Sequence, residues 1–216
     1  MAHILVIGAS QGIGQAACQA ADARRHSVRA MSRSGRLPSG VSGNCEAFAG
    51  DALNPADVTR ALDRIDVVVQ ALGVAPSIDF ILKPVTLFSA ATRILLPAMT
   101  SAGIKKLVAV TGFGAGDSEP AINILQRLPF KLILKNAYDD KSIQEELIAK
   151  SDLDWLIVRP GVLTNGPATQ KYKVLSNLSE WRNGIVARAD VADFIVKRIE
   201  AGTLNREKPV IIRIPL

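Results

Sequence analysis

The chain has 216 residues, 48% hydrophobic and 21% charged, with a formal net charge of +6. This is the make-up of an ordinary globular protein with room for one well-filled core, so a single domain over residues 1–216 is expected. No apolar run approaches the roughly 20 residues of a bilayer span, and the basic residues are spread along the chain, which argues against membrane and nucleic-acid partners.

The first segment, Met1 to Gly8, has no basic n-region and no small-residue cleavage site, so a cytoplasmic protein is expected. Apolar runs of strand length then alternate with stretches of helical period. Strands are predicted at 4–7, 28–31, 46–49, 67–71, 107–110, 155–158 and 210–214, several of them continuously apolar, as in strands covered on both faces. Helices are predicted at 13–23, 55–62, 87–102, 138–150 and 190–200, the last carrying Val191, Phe194, Ile195 and Ile199 at helical spacing. The order predicts an α/β fold of Rossmann type, doubly wound around a mainly parallel sheet. The stretch 112–136 opens with Gly-Phe-Gly-Ala-Gly and continues with much apolar surface. It reads as a buried connecting helix, a flap over a ligand, or an oligomer contact; the oligomeric state, monomer or dimer, stays open. Cys18 and Cys45 fall inside a predicted helix and strand, where reduced thiols act as small hydrophobes, so neither a disulfide framework nor a metal site is expected.

The informative motif is Gly8-Ala9-Ser10-Gln11-Gly12-Ile13-Gly14, set directly between the first strand and the first helix. There the backbone must turn tightly, approach a pyrophosphate without Cβ obstruction, and start a helix close to the strand. The helix N-terminus adds free N–H groups and a positive dipole end. A dinucleotide is the ligand this arrangement suits, and Gly8, Ser10, Gln11, Gly12, Ile13 and Gly14 are its candidate contacts.

The Gly-x-x-x-Gly-x-Gly spacing, together with the element order, resembles the short-chain dehydrogenase/reductase family over most of the chain. The resemblance implies an adenine-side role for Asp51, followed by Ala52, and a cofactor-side role for Ala71-Leu72-Gly73 after the fourth strand. A turn or helix-cap aspartate is the other reading of Asp51. An acidic residue ending the second strand would select NAD, and none is present. Between Ala23 and Cys45 every side chain ionised at neutral pH is an arginine, and Ser32-Arg33-Ser34 falls where the strand should end. NADP(H) is therefore the expected cofactor. Arg33 is the first candidate for its 2′-phosphate and Arg36 the second, because a guanidinium pairs well with phosphate oxygens; an exposed surface charge is the alternative. Arg24 and Arg25 read as the solvated end of the first helix.

Catalytic candidates are less regular. Main-branch members use a Ser and a Tyr-x-x-x-Lys pair, whereas this chain has Tyr138-Asp139-Asp140-Lys141 and only Thr111 in place of the serine. Positions three apart still share a helix face, so Tyr138 and Lys141 could act together; a packed aromatic is the alternative for Tyr138. Lys141 with Glu145, followed by Leu156-Ile157-Val158-Arg159-Pro160-Gly161, resembles the atypical branch containing NmrA-like proteins and biliverdin-IXβ/flavin reductases. That resemblance implies that Lys141 faces the nicotinamide and that Pro160, Gly161 and Val162 hold its carboxamide side. An ordinary ion pair of Lys141 with Glu145 is the alternative. Two functions follow as expectations: an NADPH-dependent oxidoreductase acting on a small planar or conjugated acceptor such as a flavin or quinone, or a non-catalytic NADP(H)-binding redox sensor.

Overall fold

The computed structural model describes residues 1–74, 85–121 and 124–213, without the side chains of 120–134. Eight strands form the central sheet: β1 (His3–Ile7), β2 (Ser27–Ser32), β3 (Cys45–Ala49), β4 (Val67–Gln70), β5 (Lys106–Val110), β6 (Asp154–Pro160), β8 (Lys173–Leu175) and β10 (Val210–Ile212). Between them, β7 (Val162–Thr164) and β9 (Ile185–Ala187) pair as a separate two-stranded ribbon. The order is β3-β2-β1-β4-β5-β6-β10-β8, parallel except for the last pair. The order reverses direction between β1 and β4, and in such sheets the ligand crevice opens there, beyond the carboxyl ends of the strands.

Helices α1 (Gly12–Ala23) and α5 (Arg188–Glu200) cover one face; α2 (Pro55–Ala61), α3 (Leu87–Ser101) and α4 (Ile124–Ala149) belong to the other. The strands divide their side chains between two cores with the two-residue period of the pleat. Ile4 and Val6 join the first core, with Ala21, Phe194 and Ile195; Leu5 and Ile7 join the second, with Leu95, Met99 and Ile148. Burial on both faces explains why these strands read as unbroken apolar runs.

Two expectations need correction. The helix predicted from Tyr138 begins at Ile124, so the apolar residues after the glycine-rich loop belong to the same element. Among the three readings of 112–136, a connecting helix describes the backbone from Ile124; the side chains of 120–134 lie outside the described residues, as does the end of the strand predicted to reach residue 214. Arg24 is not freely solvated: it pairs with Asp193 at 2.6 Å and Glu200 at 2.7 Å, tying α1 to α5. Arg25 follows it in the left-handed region, at φ 63°. Strands β7 and β9 were not predicted, because three residues are too few to show a period; β8 overlaps Lys171 to Val174, a segment that resembles the atypical branch and reads equally as a strand.

Candidate functional site

A cleft of about 1490 Å³ opens at the carboxyl ends of β1, β2, β4 and β5. Its floor is the glycine turn. Gly8 adopts φ +90°, and its N–H and that of Ala9 both donate to the Met31 carbonyl at 3.1 Å, bending the chain sharply off β1. A Cβ on Gly8 would lie 2.6 Å from the Ala71 carbonyl oxygen, and one on Gly14 2.1 Å from that of Gly8. Both glycines are therefore required for α1 to start this close to the sheet. Gly12, at φ +65°, instead faces open space, with only the Arg188 Nε 4.0 Å from where its Cβ would stand. Gln11 caps α1 without a side-chain hydrogen bond, so its own side chain does not compete for the N–H groups of the first turn. Gly8, Ser10, Gln11, Gly12 and Ile13 line the cleft; Gly14 lies behind them as packing. These features fit a dinucleotide diphosphate.

Beyond the ends of β2 and β3, Ser32, Arg33, Asp51, Ala52 and Leu53 line the cleft, and Arg36 does not. Arg33 is exposed at its rim, while Ser32 is buried and places its hydroxyl 3.2 Å from that of Ser34. Asp51 serves the local turn as well as the cleft wall: its Oδ1 accepts from the Leu53 N–H at 2.9 Å. Ala71, Leu72 and Gly73 line the opposite side.

At the far end Thr111 and Lys141 meet. The Lys141 ammonium donates to the Thr111 carbonyl at 2.5 Å and lies 4.8 Å from the centre of the Phe88 ring. Burial pulls its pKa down to about 8, opposed by the carboxylates of Glu145 and Asp140. Asp140 turns away, capping α3 through the N–H groups of Phe88 and Ser89. Glu145 does not form the ion pair with Lys141 that was the alternative reading of that lysine. It is buried and bound by Arg159, whose Nε lies 3.0 Å from Oε1 and whose Nη2 contacts Oε2, and it accepts the Thr111 hydroxyl proton at 2.7 Å. Arg159 also binds Asp117 and stacks 4.8 Å from the Trp181 ring centre. Burial works against its charge, but the two carboxylates hold the guanidinium above its ordinary pKa. The sequence pattern gave Arg159 no role, since a fully buried arginine is recognisable only from its partners.

Tyr138 is not among the cleft-lining residues. Its hydroxyl would lie 2.7 Å from a Cβ on Gly112, and burial pushes its pKa up to about 12, opposite to the lowering a neighbouring lysine gives in the main-branch pair. Pro160, Gly161 and Val162 also stand outside the lining; the N–H groups of Gly161 and Val162 donate to the Ile211 and Gly184 carbonyls. The residues lining that lip are Leu163, Asn165, Gly166, Pro167, Arg188 and Ala189. None was named individually as a site residue, although the loop after Gly161 was expected to help build the acceptor pocket and Arg188 to Ala192 resembles the atypical branch.

The sequence profile of the NAD(P)H-binding family matches residues 8–201. YhfK of Bacillus subtilis strain 168, described as an uncharacterized sugar epimerase, is 26% identical over 211 residues, spanning 94% of this chain and 91% of that protein. Two solved structures of ChuY superpose with a TM-score of 0.81. That from Escherichia coli CFT073 is 28% identical and covers 100% of this chain and 99% of its own. That from Escherichia coli O157:H7, described as an anaerobillin reductase, is 26% identical and covers 99% and 98%.

Proposed function

Because the chain belongs to the NAD(P)H-binding family, we propose that it is an NADPH-dependent reductase whose acceptor is a small planar, conjugated molecule such as a flavin or quinone. The ChuY likeness supports adding a bilin to that class. The observation that carries the reading is the Lys141 ammonium, held against Thr111 in the wall of the cleft that begins at the glycine turn. In this assignment Gly8 to Gly14 take the diphosphate, Arg33, with Ser32, the 2′-phosphate, Asp51 and Ala52 the adenosine side, and Ala71 to Gly73 the opposite wall.

A bound nicotinamide supplies hydride. The acceptor must also gain a proton, and an ammonium with a pKa of about 8 remains protonated at neutral pH yet gives its proton up readily. Lys141 is the proton source; Thr111 fixes it through its carbonyl. Tyr138 supports Gly112 from behind. A planar acceptor is reduced largely through stacking and positioning, so no stronger acid is needed.

The second reading is an NADP(H)-responsive regulator without turnover. It is favoured by the place of Tyr138 outside the cleft lining and by the Thr111 hydroxyl proton being committed to Glu145. Adding flavin mononucleotide, menadione or biliverdin to protein and NADPH, and following nicotinamide absorbance, separates the two. The reductase gives oxidation that disappears in Gly12→Asp; binding without oxidation by any acceptor overturns it in favour of the regulator.

A further inference from the structure

We infer that Arg188 is a second anchor for the cofactor diphosphate, reaching from the start of α5 across the cleft to the glycine turn and carrying a short strap, Asn165 to Pro167, over the bound molecule. The inference rests on the cofactor reading above and adds a binding residue to it.

Four observations place it there. Arg188 lines the cleft, and its Nε is the atom nearest the space that Gly12 leaves open, at 4.0 Å from a Cβ built there. It is the first residue of α5, where a cation opposes the helix dipole, so helix stability does not explain an arginine at this position. Its Nη1 donates to the neutral Asn165 Oδ1 at 2.6 Å, and among the described residues no carboxylate lies within ion-pair distance. By contrast Arg24, Arg29, Arg159 and Arg198 each pair with a carboxylate. Arg188 is a half-buried cation in a cleft suited to an anion, without a carboxylate partner among the described residues.

The strap is fixed at both ends. Thr164 pairs with Ala187 in the β7–β9 ribbon. On the other side the buried Asp190 accepts from the Thr169 and Gln170 N–H groups at 2.6 and 2.7 Å. Arg188 lies between these two clamps, and the Asn165 bond couples it to the first residue of the strap. A phosphate oxygen is a stronger acceptor than an amide oxygen, so a diphosphate on the glycine turn competes for the guanidinium and draws it inward.

The diphosphate is common to NADPH and NADH, which makes the inference separable from recognition of the 2′-phosphate. The full-length chain and the variants Arg188→Gln, Arg188→Lys and Arg33→Ala are titrated with NADPH and with NADH by nicotinamide fluorescence, and the melting of each unliganded protein is recorded. Arg188→Gln is expected to weaken both cofactors by the same factor, about tenfold or more, from loss of a charge-assisted contact. Arg188→Lys should recover part of the loss, and the unliganded melting temperature should stay near that of the parent. Unchanged affinities in Arg188→Gln, or a loss confined to NADPH, overturn the inference while leaving the cofactor reading intact; failure of the parent chain to bind either nucleotide overturns both.

Discussion

Replacing Glu145 with alanine tests how the Thr111–Lys141 end of the cleft is held. The change removes the acceptor of three hydrogen bonds, from the Thr111 hydroxyl and from the Nε and Nη2 groups of Arg159. It strands a fully buried guanidinium, whose remaining carboxylate partner, Asp117, is 55% exposed. Breaking a buried ion pair from one side costs about 3–5 kcal/mol. For a chain of this length each kcal/mol moves the melting temperature by roughly 2–4 °C, so a drop of about 6–20 °C is expected in thermal melts. Arg159→Met alone should be similarly damaging, because it strands Glu145. The double variant should be less damaged than the sum, by about 2 kcal/mol or more in a double-mutant cycle, since neither charge is then left buried alone. Additive losses, or a Glu145→Ala protein that melts with the parent, would refute the account of Thr111 and Lys141 as positioned by this pair.

Lys141 supplies a pH prediction. Its folded-state pKa, about 8, lies below the ordinary lysine value of 10.5, so between those values the unfolded chain binds more protons and stability from this group rises with pH. Lys141→Met is accordingly expected to melt higher than the parent at pH 7 while losing turnover; a lower melting temperature would contradict the buried-charge reading. In the parent, turnover should fall as pH rises through about 8, and in Lys141→Arg that limb should vanish. Arg33→Ala should weaken NADPH binding about tenfold and leave NADH unchanged in fluorescence titrations, a selectivity expected of a contact to the 2′-phosphate. Burial pushes both the Cys18 and Cys45 thiols up, so neither should react with a thiol reagent in the native protein at pH 8, and both should react on unfolding.

The parts of the fold legible in the sequence were those with a period or a glycine constraint. Ile4 to Ile7 and Val67 to Val69 alternate between two buried faces and so appear as apolar runs, and Gly8 and Gly14 stand where a Cβ would strike backbone. The start of α4 was not legible, because the glycine-rich loop before it resembles the end of an element and Pro129, inside the stretch that follows, reads as a helix boundary. Of the site, the turn, Thr111 and Lys141 come together in one cleft as their order in the chain suggested. Arg159 and Arg188 escaped for a different reason: their roles depend on partners more than ten residues away in sequence, namely Glu145, Asp117, Asn165 and the space over Gly12. The local signs at Arg188 were a cation at the first position of a helix and the likeness of Arg188 to Ala192 to the atypical branch, and neither names a partner.

The most direct measurement is a fluorescence titration of the parent chain with NADPH and NADH, followed by addition of a flavin, quinone or bilin acceptor in the same cuvette. The account predicts tighter binding of NADPH than of NADH and loss of the nicotinamide signal once acceptor is present; equal or absent binding of the two nucleotides, or a signal that no acceptor discharges, would contradict it.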